Sequence, residues 1–368
     1  MAPFIQSDYS LNRAQIGLLN LAVGAGSYAT LILIGRLIDV LGERRMLLAS
    51  GVIAGIFAAT LLASHSFIGT LTLIALMMVG VSVNTPAGSK LVMGWFSEHV
   101  RGTAMGVRQV GIPMGGMIGS LTLPPLALAF GWRAAVMVAG ALAVIGAVLC
   151  SALYREPPEV EPRKAGVPRV VSFSSVVRNK HLWLISIYAV GMISAQFTFS
   201  LYLVVFAHER LGLTVVGSGA LLAVAQAVAV GARIGWGWLS DRAFGGDRRP
   251  AMAIIAVLCG LSSFGLAFLQ SGVPLAVVIV PVITMGMSAI GWNGLYITSI
   301  SELAGQHAAG TALGISMTVS QMAVIVVPPL FGLLADRAGA YQPAWLALGV
   351  FVLLMTSAIY RTKRWAAA

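Results

Sequence analysis

Long apolar blocks separated by short polar breaks run the length of the chain, in place of the period-two alternation of half-buried strands. Eleven stretches each supply the ~20 mainly apolar residues that a bilayer-crossing helix needs. They are 16–38, 46–66, 70–94, 102–129, 132–154, 183–207, 215–239, 250–270, 274–299, 308–334 and 342–360. A membrane β-barrel would alternate lipid-facing and lumen-facing positions instead. Backbone polar groups are satisfied in hydrocarbon only by helices or closed barrels. The pattern therefore predicts an all-α integral membrane protein with eleven transmembrane helices.

Composition sharpens this reading by exclusion. The chain has 368 residues, 58% of them apolar and only 10% charged, with a mean hydropathy of +0.91. A soluble domain carries about 25% charged residues, so soluble enzymes, nucleic-acid binders and secreted disulfide scaffolds are poor fits. Cys150 and Cys259 both fall in apolar stretches and read as small core residues. The helices carry no clustered His and Asp set for catalysis or metal binding. The expectation is a non-enzyme with no cofactor and no metal.

The net charge of +11 points to the membrane by its placement, not to nucleic acid. Sixteen cations fall on one side of the predicted membrane, among them Arg36, Arg44, Arg45, Arg101, Arg155, Arg242, Arg248 and Arg249. Four, Arg13, Arg133, Arg210 and Arg337, fall on the other. The positive-inside rule makes the first side cytoplasmic and puts the C-terminus there, in a plasma membrane of the bacterial inner type. Residues 155–182 begin Arg155-Glu156-Pro157-Pro158 and read as a cytoplasmic linker. The expected division is 1–154 as a five-helix bundle, 155–182 as linker and 183–368 as a six-helix bundle. Met1-Ala2-Pro3-Phe4-Ile5-Gln6 reads like the outer end of a first helix, so one helix of a twelve-helix set is expected to be missing.

The two halves repeat. Gly35-Arg36-Leu37-Ile38-Asp39 matches Gly237-Trp238-Leu239-Ser240-Asp241, at an offset of 202. Gly102-Thr103-Ala104-Met105-Gly106-Val107 matches Gly310-Thr311-Ala312-Leu313-Gly314-Ile315 at 208, and Pro124-Pro125 matches Pro328-Pro329 at 204. Ordered matches at a nearly constant offset indicate duplication, a recurrent architecture of secondary transporters.

These motifs resemble the major facilitator superfamily, whose signature between its second and third helices is G-x-x-x-D-[RK]-x-G-[RK]-[RK]. Here it reads Gly35-x-x-x-Asp39-Val40-x-Gly42-Glu43-Arg44-Arg45, with Val40 and Glu43 departing from the basic positions. The second copy reads Gly237-x-x-x-Asp241-Arg242, followed by Gly245 and Arg248-Arg249. The resemblance implies two bundles around a cavity, and a gate in which Asp39 meets the start of helix 308–334 and Asp241 the start of helix 102–129. Gly111, Gly115 and Gly119 share a face at spacing four, which would permit close packing. With Pro113 they resemble the exporters' G-P-x-x-G-G element, interrupted here by Ile112.

Three cations lie inside helices. Lys90, Arg108 and Arg233 each sit some six residues from the cytoplasmic helix end, at a depth of about 9 Å. With no acidic residue at mid-membrane, they read as binding groups for an anionic substrate. Gln226 and Gly219 continue the stripe of Arg233, which is similar to the eighth-helix arginine of monocarboxylate-type facilitators. Family architecture would bring Asn84, Gln196, Trp292 and Asn293 to the cavity. The resulting expectation is a monomeric symporter or antiporter that moves a small organic anion by alternating access, coupled to an ion such as the proton. The alternatives are an exporter of hydrophobic or cationic compounds, or a non-transporting receptor or scaffold.

Overall fold

The computed structural model describes residues 1–28, 30–96, 98–155, 176–304 and 309–362, and among them every regular element is helical. The first half contains α1 (Ala2–Tyr9), α2 (Arg13–Tyr28), α3 (Leu31–Leu41), α4 (Glu43–Thr60), α5 (Phe67–Ser82), α6 (Asn84–Trp95), α7 (Glu98–Phe130) and α8 (Trp132–Leu153). The second half contains α9 (Lys180–Glu209), α10 (Val215–Phe244), α11 (Arg248–Ala267), α12 (Leu275–Met285), α13 (Asn293–Ala304), α14 (Ala309–Ala338) and α15 (Gln342–Tyr360).

Ten of the described helical stretches are long and apolar enough to cross a membrane. The eleventh expected stretch, 16–38, is divided into α2 and α3. The Thr30 hydroxyl donates to the Gly26 carbonyl at 3.0 Å, a local bond that competes with the helix ladder in a glycine-rich segment. The span over 274–299 is also interrupted, by a π-turn at Gly286–Ile290 between α12 and α13. Helix α1 is eight residues long, about 12 Å at 1.5 Å per residue, and cannot span. Most of the predicted linker, 156–175, lies outside the described residues, as do its cations Arg163, Lys164 and Arg169.

Local capping explains where several helices start. Ser66, Thr214 and Asp247 each accept a backbone N–H in the first turn of α5, α10 and α11. Gly42 joins α3 to α4 with φ at 81°, a conformation that side chains resist. Packing is close within each half, α4 on α5 and α8, α9 on α14 and α15, and α11 on α15. Two further seams join the halves, α2 along α14 and α7 along α10. The helix ends at Leu153 of α8 and Lys180 of α9 define the linker end, and the opposite end is the distal end. Cys259 is buried as expected, but Cys150 is exposed on α8, whose outer face is turned away from the protein.

Candidate functional site

The α7–α10 seam holds Arg233. Pro113 has no N–H, so the carbonyl four residues earlier, that of Gln109, loses its helical donor. Arg233 Nη1 crosses from α10 and donates to that carbonyl at 2.9 Å. Of its remaining donors, Nε is buried without a partner among the described residues. No described carboxylate lies within ion-pair distance of it. Gln226, one stripe position away, lies against Gly116 of α7, where a Cβ would come within 2.9 Å of its amide. Gly219 completes the stripe, packed on the Ser120 carbonyl. The predicted stripe on α10 is thus a contact surface between halves. By contrast, Gly111 and Gly115 face open space and Gly119 meets only Leu123 of its own helix, so the expected close packing along that face is absent. The approach of α7 to α10 runs through Gly116.

Arg108 belongs to a different place. Its guanidinium lies across Gly88, with Nη2 donating to the carbonyls of Asn84 at 2.7 Å and Thr85 at 3.0 Å, and Nη1 to Ser89 Oγ at 3.3 Å. These contacts are at the start of α6. Asn84 itself accepts from Ser50 of α4 at 3.1 Å. Lys90 departs from the expectation of a cation without a counter-ion. Its Nζ pairs with Glu43 Oε1 at 2.9 Å, because the α3–α4 turn brings the start of α4 beside α6. Glu43, the departure from the signature, therefore has a partner of opposite charge.

A third cluster sits beside the π-turn. Gln196 of α9 accepts from Trp292 Nε1 at 3.0 Å and from Asn293 Nδ2 at 3.1 Å. Trp292 is 1% exposed and stacks edge-on against Tyr188 and obliquely on Tyr296. The Tyr296 hydroxyl lies 2.7 Å from Ser316 Oγ. The π-turn carbonyl of Met287 is satisfied by Trp236 Nε1 of α10 at 2.8 Å. Gly294 packs on the Arg233 carbonyl, which brings this cluster next to the α7–α10 seam.

At the linker end, the second signature copy closes on itself. Arg248 pairs with Asp241 and, at 2.8 Å, with Glu302 of α13, and Arg249 pairs with Asp247 at 2.6 Å. Arg242 lies over the Trp238 ring, and open space surrounds Gly237. In the first copy, Arg44 Nε donates to the Ser151 carbonyl at 2.9 Å and Arg45 is exposed. The side chains of Asp39, Arg101 and Ala309 lie outside the described residues, as do the surroundings of Gly35, Gly102 and Gly310, and with them the expected gate contacts.

Sequence reasoning missed the distal cluster. Asp336 at the end of α14 accepts the backbone N–H groups of Arg13 at 3.1 Å and Ala14 at 2.8 Å, capping α2 from the other half. The Arg13 guanidinium pairs with Glu209 at 2.9 Å and lies over the Tyr341 ring. Tyr341 donates to Glu209 at 2.8 Å. Burial, then the neighbouring Glu209 carboxylate, push the Tyr341 hydroxyl above its usual range and keep it a donor. Beside them Gly17 packs directly on Pro329. Repeat spacing carries no signal for this cluster; the only hint is that Arg13, Glu209 and Asp336 all fall just outside apolar blocks on one side.

The geometry can be set beside known proteins. A family model described as Major Facilitator Superfamily matches residues 1–328. The chain is 30% identical over 356 residues to the uncharacterized MFS-type transporter Rv2994 of Mycobacterium tuberculosis, covering 96% of this chain and 78% of that one. It is 22% identical over 377 residues to the hexuronate transporter of Bacillus subtilis, covering 99% and 89%. Its fold matches the crystal structure of a bacterial homologue of the human lysosomal transporter Spinster with a TM-score of 0.81 at 17% identity, over 100% of this chain and 95% of that one.

Proposed function

This chain belongs to the major facilitator superfamily, and on that premise we propose that it carries a small organic anion across the membrane by alternating access, with Arg233 as the anion-binding group. It works as two bundles, 1–154 and 183–368, with the linker and C-terminus cytoplasmic, in symport or antiport with a proton. The observation that carries the reading is Arg233 itself. It has five N–H donors, gives one to Gln109, and has no carboxylate beside it among the described residues. An unpaired cation within a span is costly unless a ligand completes it. The hexuronate transporter among the relatives carries an anion of this class. Arg108, held by α6 carbonyls, positions the α6–α7 side of the cavity, and Lys90 is neutralised by Glu43.

A guanidinium holds a carboxylate through two parallel hydrogen bonds that an ammonium cannot reproduce. Arg233→Lys is expected to weaken uptake of labelled glucuronate into proteoliposomes by ten- to 150-fold or so, from the ~1.5–3 kcal/mol of a charged hydrogen bond. Uptake by the variant equal to that of the parent, or saturable uptake of a cationic dye in place of carboxylates, would sink the proposal.

A further inference from the structure

We propose that Gln196 and Asn293 form a hydroxyl-reading subsite, so that the transported anion carries a hydroxyl group in addition to its acid. This rests on the reading of Arg233 as the anion-binding group. The orientation of both amides follows from chemistry. An indole N–H only donates, so the atom of Gln196 facing Trp292 Nε1 at 3.0 Å is its oxygen, and the NH2 group points away. Asn293 donates through Nδ2 to that same oxygen, and to the Ile290 carbonyl of the π-turn at 3.4 Å, which turns its oxygen away as well. Gln196 Nε2 and Asn293 Oδ1 then have no partner among the described residues, and neither is sealed inside the protein.

One unused donor and one unused acceptor, on half-buried amides joined edge to edge, complement a hydroxyl, which accepts one hydrogen bond and donates another. A methyl group would leave both unpaired, and an ammonium could not accept from Nε2. The pair is also held still. Trp292 is wedged between Tyr188 and Tyr296, the Tyr188 hydroxyl donates to the Met252 carbonyl at 3.1 Å, and the π-turn sets Trp292 and Asn293 against α9. π-Turns within helices concentrate at functional sites, and polar groups held rigidly by a surrounding shell discriminate best. Gly294 rests on the backbone carbonyl of Arg233, so the amide pair lies beside the helix that carries the guanidinium.

The test is competition for transport in proteoliposomes, with carboxylates paired so that only a hydroxyl differs: lactate against propionate, 3-hydroxybutyrate against butyrate, and glucuronate against cyclohexanecarboxylate. The parent is expected to prefer the hydroxylated member of at least one pair by about tenfold or more, the scale of one to two neutral hydrogen bonds. In Asn293→Leu that ratio should collapse toward one, while Arg233→Lys should weaken both members and leave the ratio standing. A ratio near one for every pair in the parent overturns the subsite without any variant and leaves the anion reading intact. A ratio that survives Asn293→Leu in folded protein also overturns it. A ratio that persists while neither member responds to Arg233→Lys removes the anion reading, and the present proposal with it. Competition by no member of the panel overturns both.

Discussion

Asp336→Ala should open the distal end. In the structure Asp336 accepts two backbone N–H groups at the first turn of α2, at 3.1 and 2.8 Å, and stands 3.8 Å from Arg13 Nη1. These are donors that a helix N-terminus leaves without intrahelical partners, and a carboxylate there also meets the positive end of the helix dipole. Loss of an N-cap costs about 0.5–2 kcal/mol, and loss of charged hydrogen bonds ~1.5–3 kcal/mol each. Asp336 retains 25% side-chain exposure, which argues for the lower part of that range, about 2 kcal/mol in all. Because α2 and α14 belong to different halves, the loss acts only on the state in which the distal end is closed, so the closed-to-open ratio should fall about 30-fold. Spin labels at His65→Cys and Ala338→Cys, both exposed at the distal end, would read it by pulsed EPR in a Cys150→Ser, Cys259→Ala background. The expected result is a new long-distance population in Asp336→Ala and a smaller one in Asp336→Asn, which keeps one acceptor oxygen. Identical distance distributions in parent and Asp336→Ala, with both proteins folded, would refute the reasoning.

Two further outcomes follow from contacts between helices. Gly219→Leu places a Cβ 2.6 Å from the Ser120 carbonyl oxygen, so α7 and α10 must part; proteoliposome uptake should fall tenfold or more while membrane insertion persists. Lys90→Ala should lower thermal stability in detergent by at most about 1 kcal/mol, because the Lys90 side chain is 45% exposed, and the charge exchange Glu43→Lys with Lys90→Glu should restore it.

The spans are legible in the sequence because lipid imposes one length and one polarity on each of them. The division of the first stretch at Thr30 was visible only as Gly24, Gly26 and a hydroxyl, a combination that many intact helices also contain. The site is legible in part. Pro113 announces an orphaned carbonyl at Gln109, but which helix supplies the donor is decided by tertiary packing, and the Gly219–Gln226–Arg233 stripe marks a contact face without naming what it contacts. Glu43 reads as a defect in a motif until α6 is placed beside α4 and Lys90 appears opposite. The distal cluster is invisible because Arg13, Glu209 and Asp336 are separated by 196 and 323 residues from Arg13 onward, and a charge count by side treats each of them as an independent loop charge.

On the proposed role of Arg233, its place in the α7–α10 seam would give binding a direction. Its Nη1 holds the Gln109 carbonyl, and its Nε is buried without a partner among the described residues. A carboxylate held side-on needs Nε together with a terminal nitrogen, so in this conformation an anion reaches the guanidinium only end-on. Exchanging that end-on contact for a side-on one would require α7 to move off α10, breaking the Gln109 bond and lifting Gln226 from Gly116. An anion that gains the side-on contact would bind more tightly to the loosened seam than to the closed one, and a ligand shifts a conformational equilibrium only through such a difference. On that reading the residue that ties α7 to α10 would loosen them once it takes an anion, and Pro113, by leaving a carbonyl without a donor, is what lets α7 take part in that exchange.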